Sequence, residues 1–250
     1  MDLQLSGHSA LVTGASTGIG RRIATQLAAE GARLAIAARR RELLEEVAKD
    51  ITDAGGHAPV IIEQDALAEG APEQTAKAAV DGLGSVQILI NNAGGSRSFT
   101  LETTEDQWQE ALTLNFNRPR QLTHQLLNQM MNGGWGRIVN ITGKSEPERM
   151  NGAFCAKAAV HSWAKGLSRE VGKHGITINC IAPGRIMSEQ IRRNYTPEYR
   201  QWQSEHEIPV GRYGEPEELA SLAVFLSSPV ASYITGTVIP VDGGLRRYQF

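Results

Sequence analysis

Short apolar runs alternate with segments of helical periodicity along the whole of this 250-residue chain, and that rhythm limits the fold more than any other feature. The runs at 9–13 (SALVT), 33–38 (RLAIAA), 59–64, 86–91, 136–142, 177–181 and 236–241 are continuously apolar and do not alternate with polar residues. Strands of that kind are buried on both faces, as in a parallel sheet covered by helices. The intervening stretches 19–30, 40–54, 72–83, 105–131, 153–172 and 215–226 read as helices, the long fourth one broken or bent near Pro119. The expected fold is α/β: one Rossmann-like doubly wound parallel sheet of about seven strands, with helices on both faces. No linker or repeat divides the chain, so residues 1–250 are expected to form a single dinucleotide-binding domain. Only 185–213 breaks the rhythm. It is polar, aromatic and charged (Arg192, Arg193, Tyr195, Tyr199, Trp202), as expected of a lid over a site.

The first strand runs into Thr13-Gly14-Ala15-Ser16-Thr17-Gly18-Ile19-Gly20. Glycines between a buried strand and a helix start let the backbone approach a pyrophosphate while the helix aims free N–H groups at it. Gly14, Ser16, Thr17, Gly18, Ile19 and Gly20 are therefore candidate cofactor ligands. The second strand ends Ala37-Ala38-Arg39, where a dinucleotide site usually carries an acid for the adenine ribose hydroxyls. An acid would repel a 2′-phosphate, whereas an arginine can pair with one through its planar fork. Ala38 followed by Arg39 points to NADP (NADPH) over NAD. Arg40 and Arg41 read as the solvated start of the next helix.

Charge and composition remove other classes. Lys+Arg 25 against Asp+Glu 27 gives a formal net charge of −2, without the basic excess of a nucleic-acid-binding surface. Cys155 and Cys180 are too far apart for a zinc motif, and the six histidines show no metal-ligand spacing, so no metal site is expected. No signal-peptide pattern or bilayer-length apolar stretch is present, and a cytoplasmic location is expected.

With these residues in place, the chain resembles the short-chain dehydrogenase/reductase family over its whole length, in the manner of 3-oxoacyl-carrier-protein reductases. TGASTGIG (13–20) matches the cofactor loop, Asn91-Asn92-Ala93-Gly94 the NNAG element, and Val241-Asp242-Gly243-Gly244 the C-terminal VDGG. The resemblance implies that Asp65, with Ala66, meets the adenine, and that Asn91, Ala93 and Gly94 lie beside the cofactor. It implies that Pro183, Gly184 and Ile186 pack near the nicotinamide, that Lys157 holds the nicotinamide ribose, and that Asn115 is the catalytic asparagine. It also implies a small-molecule carbonyl or alcohol substrate, and a homotetramer paired through 105–131 and 153–172. The small residues Ala153, Ala156, Ala159 and Val160 offer a face for that pairing.

The family's chemistry uses a serine, a tyrosine and a lysine, and here the pattern departs. Ala153 stands four residues before Lys157, where the tyrosine is expected, and the serine place falls on Gly143. A phenol with a tuned pKa exchanges a proton, which alanine cannot do. Lys144 and Ser145 directly follow the expected serine place and are the expected catalytic substitutes, with Glu146, Glu148, Cys155, Tyr195 and Tyr199 as further candidates. The leading expectation is an NADP(H)-dependent oxidoreductase with an atypical active site. The alternatives are an NADP-binding non-redox protein and a lyase-type enzyme that keeps the cofactor site only.

Overall fold

The computed structural model describes residues 1–143 and 149–247. Seven strands form one sheet: β1 Ser9–Thr13, β2 Arg33–Ala38, β3 Val60–Glu63, β4 Ile88–Asn91, β5 Gly136–Ile141, β6 Ile176–Pro183 and β7 Val238–Val241. Their order is β3-β2-β1-β4-β5-β6-β7, and every pairing is parallel. The chain winds outward from β1 to β3, then returns to β4 on the other side of β1. That reversal opens a crevice at the carboxyl ends of β1 and β4, where ligands bind in sheets of this type.

Side chains along a strand point alternately to the two faces, so the sheet has two cores. Val12 and Ile90 face α1 (Gly18–Ala29), α2 (Arg41–Asp53) and α9 (Pro216–Leu226), which contribute Leu27, Leu44 and Val224. Leu11 and Leu89 face α3 (Ala71–Leu83), α5 (Arg118–Asn132) and α6 (Gly152–Val171), which contribute Ala79, Leu126 and Val160. The small face of α6 is turned inward: Ala153, Ala156 and Val160 are buried within this chain, because the helix lies along β6. It therefore offers these three residues to its own sheet and not to another subunit.

The long helix is interrupted close to Pro119, as expected, but not by the proline. It runs as α4 (Glu105–Leu112), then a π-type segment Thr113–Asn117, then α5, in whose first turn Pro119 sits without disruption. Residues 185–213 hold two helices, α7 (Glu189–Asn194) and α8 (Pro197–His206). A polar cluster ties them down. The Tyr213 hydroxyl donates to Gln203 Oε1, and Gln203 Nε2 donates to Glu207 Oε2 at 2.7 Å. Arg185 Nη1 donates to the Tyr195 hydroxyl at 3.2 Å and lies 4.0 Å from Glu207. Tyr195, Tyr199, Trp202 and His206 stack in series, their ring centroids 5.5, 5.9 and 5.1 Å apart.

Candidate functional site

A cleft of about 880 Å³ opens at the carboxyl ends of the strands. Its floor is stitched together by Thr13 and Asn92. Thr13 Oγ1 donates to Ile90 O at 3.1 Å and accepts the backbone N–H groups of Asn92 and Ala93 at 3.0 and 3.1 Å. Asn92 Nδ2 donates to Thr13 O and Gly14 O, both at 3.0 Å. The ends of β1 and β4 are thus locked to each other by the protein's own groups.

Two glycines of the loop do different work. Gly20 packs the start of α1 on the loop, and a Cβ there would fall on Gly14 O and 2.5 Å from Asn92 Nδ2. Gly18 has φ +54, and a Cβ on it would point into open space, 4.0 Å from Ser188 Cβ. The N-cap Thr17 makes no side-chain bond to the first turn of α1. The helix therefore presents uncapped N–H groups and its positive dipole end beside a bare glycine, which fits the pyrophosphate of a dinucleotide. Asn91 adds a second sign of fit. Its Nδ2 bonds Thr123 and Asn140 at 3.0 and 2.9 Å, while its buried Oδ1 has no partner.

The cleft brings together most residues singled out in the sequence. Gly14, Ser16, Thr17, Gly18, Ile19, Arg39, Asp65 and Ala66 line the half near β1 and β2. Asn91, Ala93, Gly94, Asn115, Lys157 and Pro183 line the half near β4 to β6. Gly20, Gly184 and Ile186 do not line it. Gly184 is pressed against Asp242, and Ile186 is buried in the core against Gly214. Arg41 pairs with Glu45 along its helix, whereas Arg40 reaches across the cleft to Glu189. Arg39 has no carboxylate within ion-pair distance among the described residues. Tyr195 and Tyr199 do not line the cleft. Cys155 is exposed on α6. Lys144, Ser145, Glu146 and Glu148 lie outside the described residues. Among the described residues no group of His, Cys, Asp and Glu could hold a metal ion.

Asn115 sits in the π-type segment, and its side chain explains the wider turn. Nδ2 donates to Ala111 O at 2.9 Å and to Gly95 O at 3.0 Å, while Oδ1 accepts Gly95 N–H at 3.1 Å. The amide thereby fixes the 94–95 loop over the cleft, and both of its own protons are committed. Lys157 projects from α6, and its Nζ donates to Thr142 O at 3.0 Å. Burial lowers its ammonium to about 8, with no carboxylate among the causes to offset desolvation.

Thr142 is not evident from the sequence as a site residue, yet it is held through three groups. Its N–H donates to Ile181 O at 2.8 Å, and its Oγ1 lies 3.1 Å from the same oxygen. His161, one turn beyond Lys157, places Nε2 2.8 Å from Thr142 Oγ1. Either Nε2–H donates to the hydroxyl, whose proton then goes to Ile181 O, or the hydroxyl donates to an unprotonated Nε2. Burial lowers the His161 pKa, and the charges of Arg246 and Lys157 lower it further. Beside this group, Ala153 is buried and lines the cleft one turn before Lys157. A Cβ on Gly143 would rest 3.4 Å from Lys157 Cδ.

The sequence profile described as enoyl-(acyl carrier protein) reductase matches residues 14–246. A 3-oxoacyl-[acyl-carrier-protein] reductase of Aquifex aeolicus is 33% identical, over 98% of this chain and 100% of its own. A gluconate 5-dehydrogenase of Gluconobacter oxydans is 36% identical, over 96% and 95%. Among solved structures, a 7α-hydroxysteroid dehydrogenase complexed with NADH and 7-oxo glycochenodeoxycholic acid superposes with a TM-score of 0.92 at 30% identity, covering 97% of this chain and 96% of that one. An L-sorbose reductase of Gluconobacter frateurii complexed with NADPH and L-sorbose gives 0.93 at 29%, covering 99% and 100%. The chain belongs to the short-chain dehydrogenase/reductase family of oxidoreductases and is similar to its 3-oxoacyl-carrier-protein reductases.

Proposed function

We propose that the cleft binds NADP(H) and that the protein moves hydride between the nicotinamide and a small carbonyl or alcohol, without the family's serine and tyrosine. One observation carries this: the uncapped start of α1 behind Gly18 shares a single cleft with Asn115 and Lys157. NADPH, when bound, supplies the hydride. The first-turn N–H groups of α1 bind its pyrophosphate, and Arg39 meets the 2′-phosphate. Asn115 fixes the loop over the nicotinamide end. Lys157 presents a cation whose pKa near 8 lets it give up a proton close to neutral pH. Gly143 and Ala153 occupy the serine and tyrosine places that the family resemblance assigns, and neither has a hydroxyl. Lys144 or Ser145 would supply the missing contact to the substrate oxygen.

Ala153 also favours a second reading, in which the chain binds NADP without redox turnover or keeps the cofactor site within a lyase-type enzyme. The decisive experiment measures NADPH and NADH binding and then NADPH oxidation against a panel of carbonyl compounds. Tighter binding of NADPH with turnover supports the first reading. Tight NADPH binding without turnover on any compound supports the second, and tighter binding of NADH overturns the cofactor assignment. A reconstructed Gly143→Ser/Ala153→Tyr variant adds a direct check. A Cβ at 143 makes an ordinary contact with Lys157 Cδ and Ala153 lines the cleft, and restoring general acid catalysis should raise carbonyl reduction by about 10²–10⁴-fold.

We further propose that residues 1–250 act as one domain in the cytoplasm, with α7 and α8 as the lid, and as a homotetramer. Among the described residues no helix is long and apolar enough to cross a membrane. Pairing between subunits would use the outer surfaces of α5 and α6, where His124 and Trp163 lie 6.2 Å apart. Light scattering at the mass of four chains is the expected result, and the mass of one chain overturns it.

A further inference from the structure

Three consecutive residues at the start of α7 cross the cleft. Glu189 Oε2 lies 3.0 Å from Arg40 Nη2, on the wall formed by the β2–α2 turn. Gln190 Nε2 donates to Ser96 O at 3.2 Å, on the wall that follows β4. Just before these anchors, the N-cap Ser188 lies over Gly18 of the glycine loop. The start of α7 is thus a strap fastened to both walls of the cleft, and one fastening is a cation at the adenine end. Arg39 and Arg40 line that end together with Ala38 and Gln64.

We propose that Glu189 is a cofactor-selecting residue whose carboxylate competes with an adenosine 2′-phosphate for the Arg40 guanidinium. A 2′-phosphorylated dinucleotide releases the strap from Arg40, whereas an unphosphorylated one leaves it fastened. The inference rests on the reading of the cleft as an NADP site. Its physical basis is the exchange of one acceptor for a better one. The phosphate carries more charge than a carboxylate and three oxygens able to bridge adjacent arginines. The Arg40–Glu189 pair is half exposed on both sides, so it is weak and screened by salt, and a phosphate can displace it. Arg41 does not take part, because it pairs with Glu45 along its own helix and does not line the cleft. Gln190, the next residue, still holds the strap to Ser96 on the opposite wall, so release at Arg40 loosens the start of α7 without detaching it.

The test compares wild type with Glu189→Gln. Removing the competing charge should raise the preference for NADPH over NADH, read as the ratio of dissociation constants, by about two- to fivefold, the range expected of one exposed ion pair. The strap reports its own state, because Arg192 and Arg193 are exposed tryptic sites within α7. Adding 2′,5′-ADP should speed cleavage there in wild type, while 5′-AMP should not. In Glu189→Gln, cleavage should be fast from the start and indifferent to either nucleotide. Arg40→Gln should behave like Glu189→Gln in proteolysis but lose NADPH affinity. An unchanged NADPH/NADH ratio in Glu189→Gln, or equal effects of 2′,5′-ADP and 5′-AMP on cleavage, overturns the exchange. Tighter binding of NADH by wild type overturns the NADP reading instead, and the two failures are distinct.

Discussion

Lys157 carries a positive charge into a half-buried position with a backbone carbonyl as its partner, and this gives it a measurable signature. Its folded pKa, about 8, lies below the ordinary value of 10.5. Between those values the unfolded chain binds more protons than the folded one, so this group's contribution makes stability rise with pH across the window. Below pH 8 its full desolvation penalty opposes folding. Wild type without cofactor should therefore gain stability relative to Lys157→Met as pH rises from about 8 to 10.5, by at most about 3 kcal/mol. Urea unfolding at several pH values measures it, and parallel curves for the two proteins would contradict the assignment. Lys157 itself is legible in the sequence, through the family pattern. Thr142 and His161 are not, because their link depends on a helix face meeting a strand end 19 residues away in the chain. Arg39 is recognisable from sequence as a cleft residue, but Arg40 reads there as solvated. Its partner Glu189 lies 149 residues further on, beyond the reach of any local pattern.

Elements are legible to the extent that burial alone shapes them. The strands are continuous apolar runs, and the structure places all seven where those runs fall. The helix through Asn115 shows the limit. Proline is the obvious place for a bend, but the wide turn follows from the Asn115 amide inserting bonds to Ala111 and Gly95, a tertiary cause. Likewise α8 escapes notice because its buried residues are Gln203 and Ser204, so it lacks an apolar stripe. The start of α6 supplies an element-scale test. Asn151 Oδ1 accepts the N–H groups of Ala153 and Phe154 at 2.9 and 3.3 Å, while its Nδ2 reaches Ser96 Oγ and Arg97 O at 2.8 and 3.0 Å. Asn151→Ala should lower stability by about 1 kcal/mol through the lost cap. It should also speed amide exchange around 95–97, and exchange confined to α6 would show that the loop is held by other means. At the other end of the cleft, Gly20→Ala forces Gly14 and Asn92 apart and should abolish dinucleotide binding, as calorimetry would show.

The whole molecule has its chemistry at one end of the sheet and a structural fastening at the other. Arg137, at the amino end of β5, is only 2% exposed, and burial lowers its pKa to about 10. Its guanidinium donates to Ser228 O at 3.1 Å, just past α9, and to Gly136 O and Gly175 O at 2.8 and 3.0 Å. The Trp135 ring lies 4.4 Å from it. The Ser228 and Gly175 carbonyls lie at helix ends and carry partial negative charge, which helps hold the cation without a carboxylate. The side chain joins helices from opposite faces of the sheet. Arg137→Met should remove about 3 kcal/mol or more by leaving several buried carbonyls without donors, while NADPH affinity of the folded fraction should be unchanged. A urea midpoint equal to that of wild type would refute the role.

Thr142 has a further consequence. With its N–H, carbonyl and hydroxyl all tethered, the chain leaves β5 in a direction set by the sheet and α6, independent of the residue types after Gly143. Segments grafted after Gly143 would thus inherit a fixed point of departure beside Lys157. New side chains could be tried there as interchangeable inserts, with the cofactor groove and the lysine left in register.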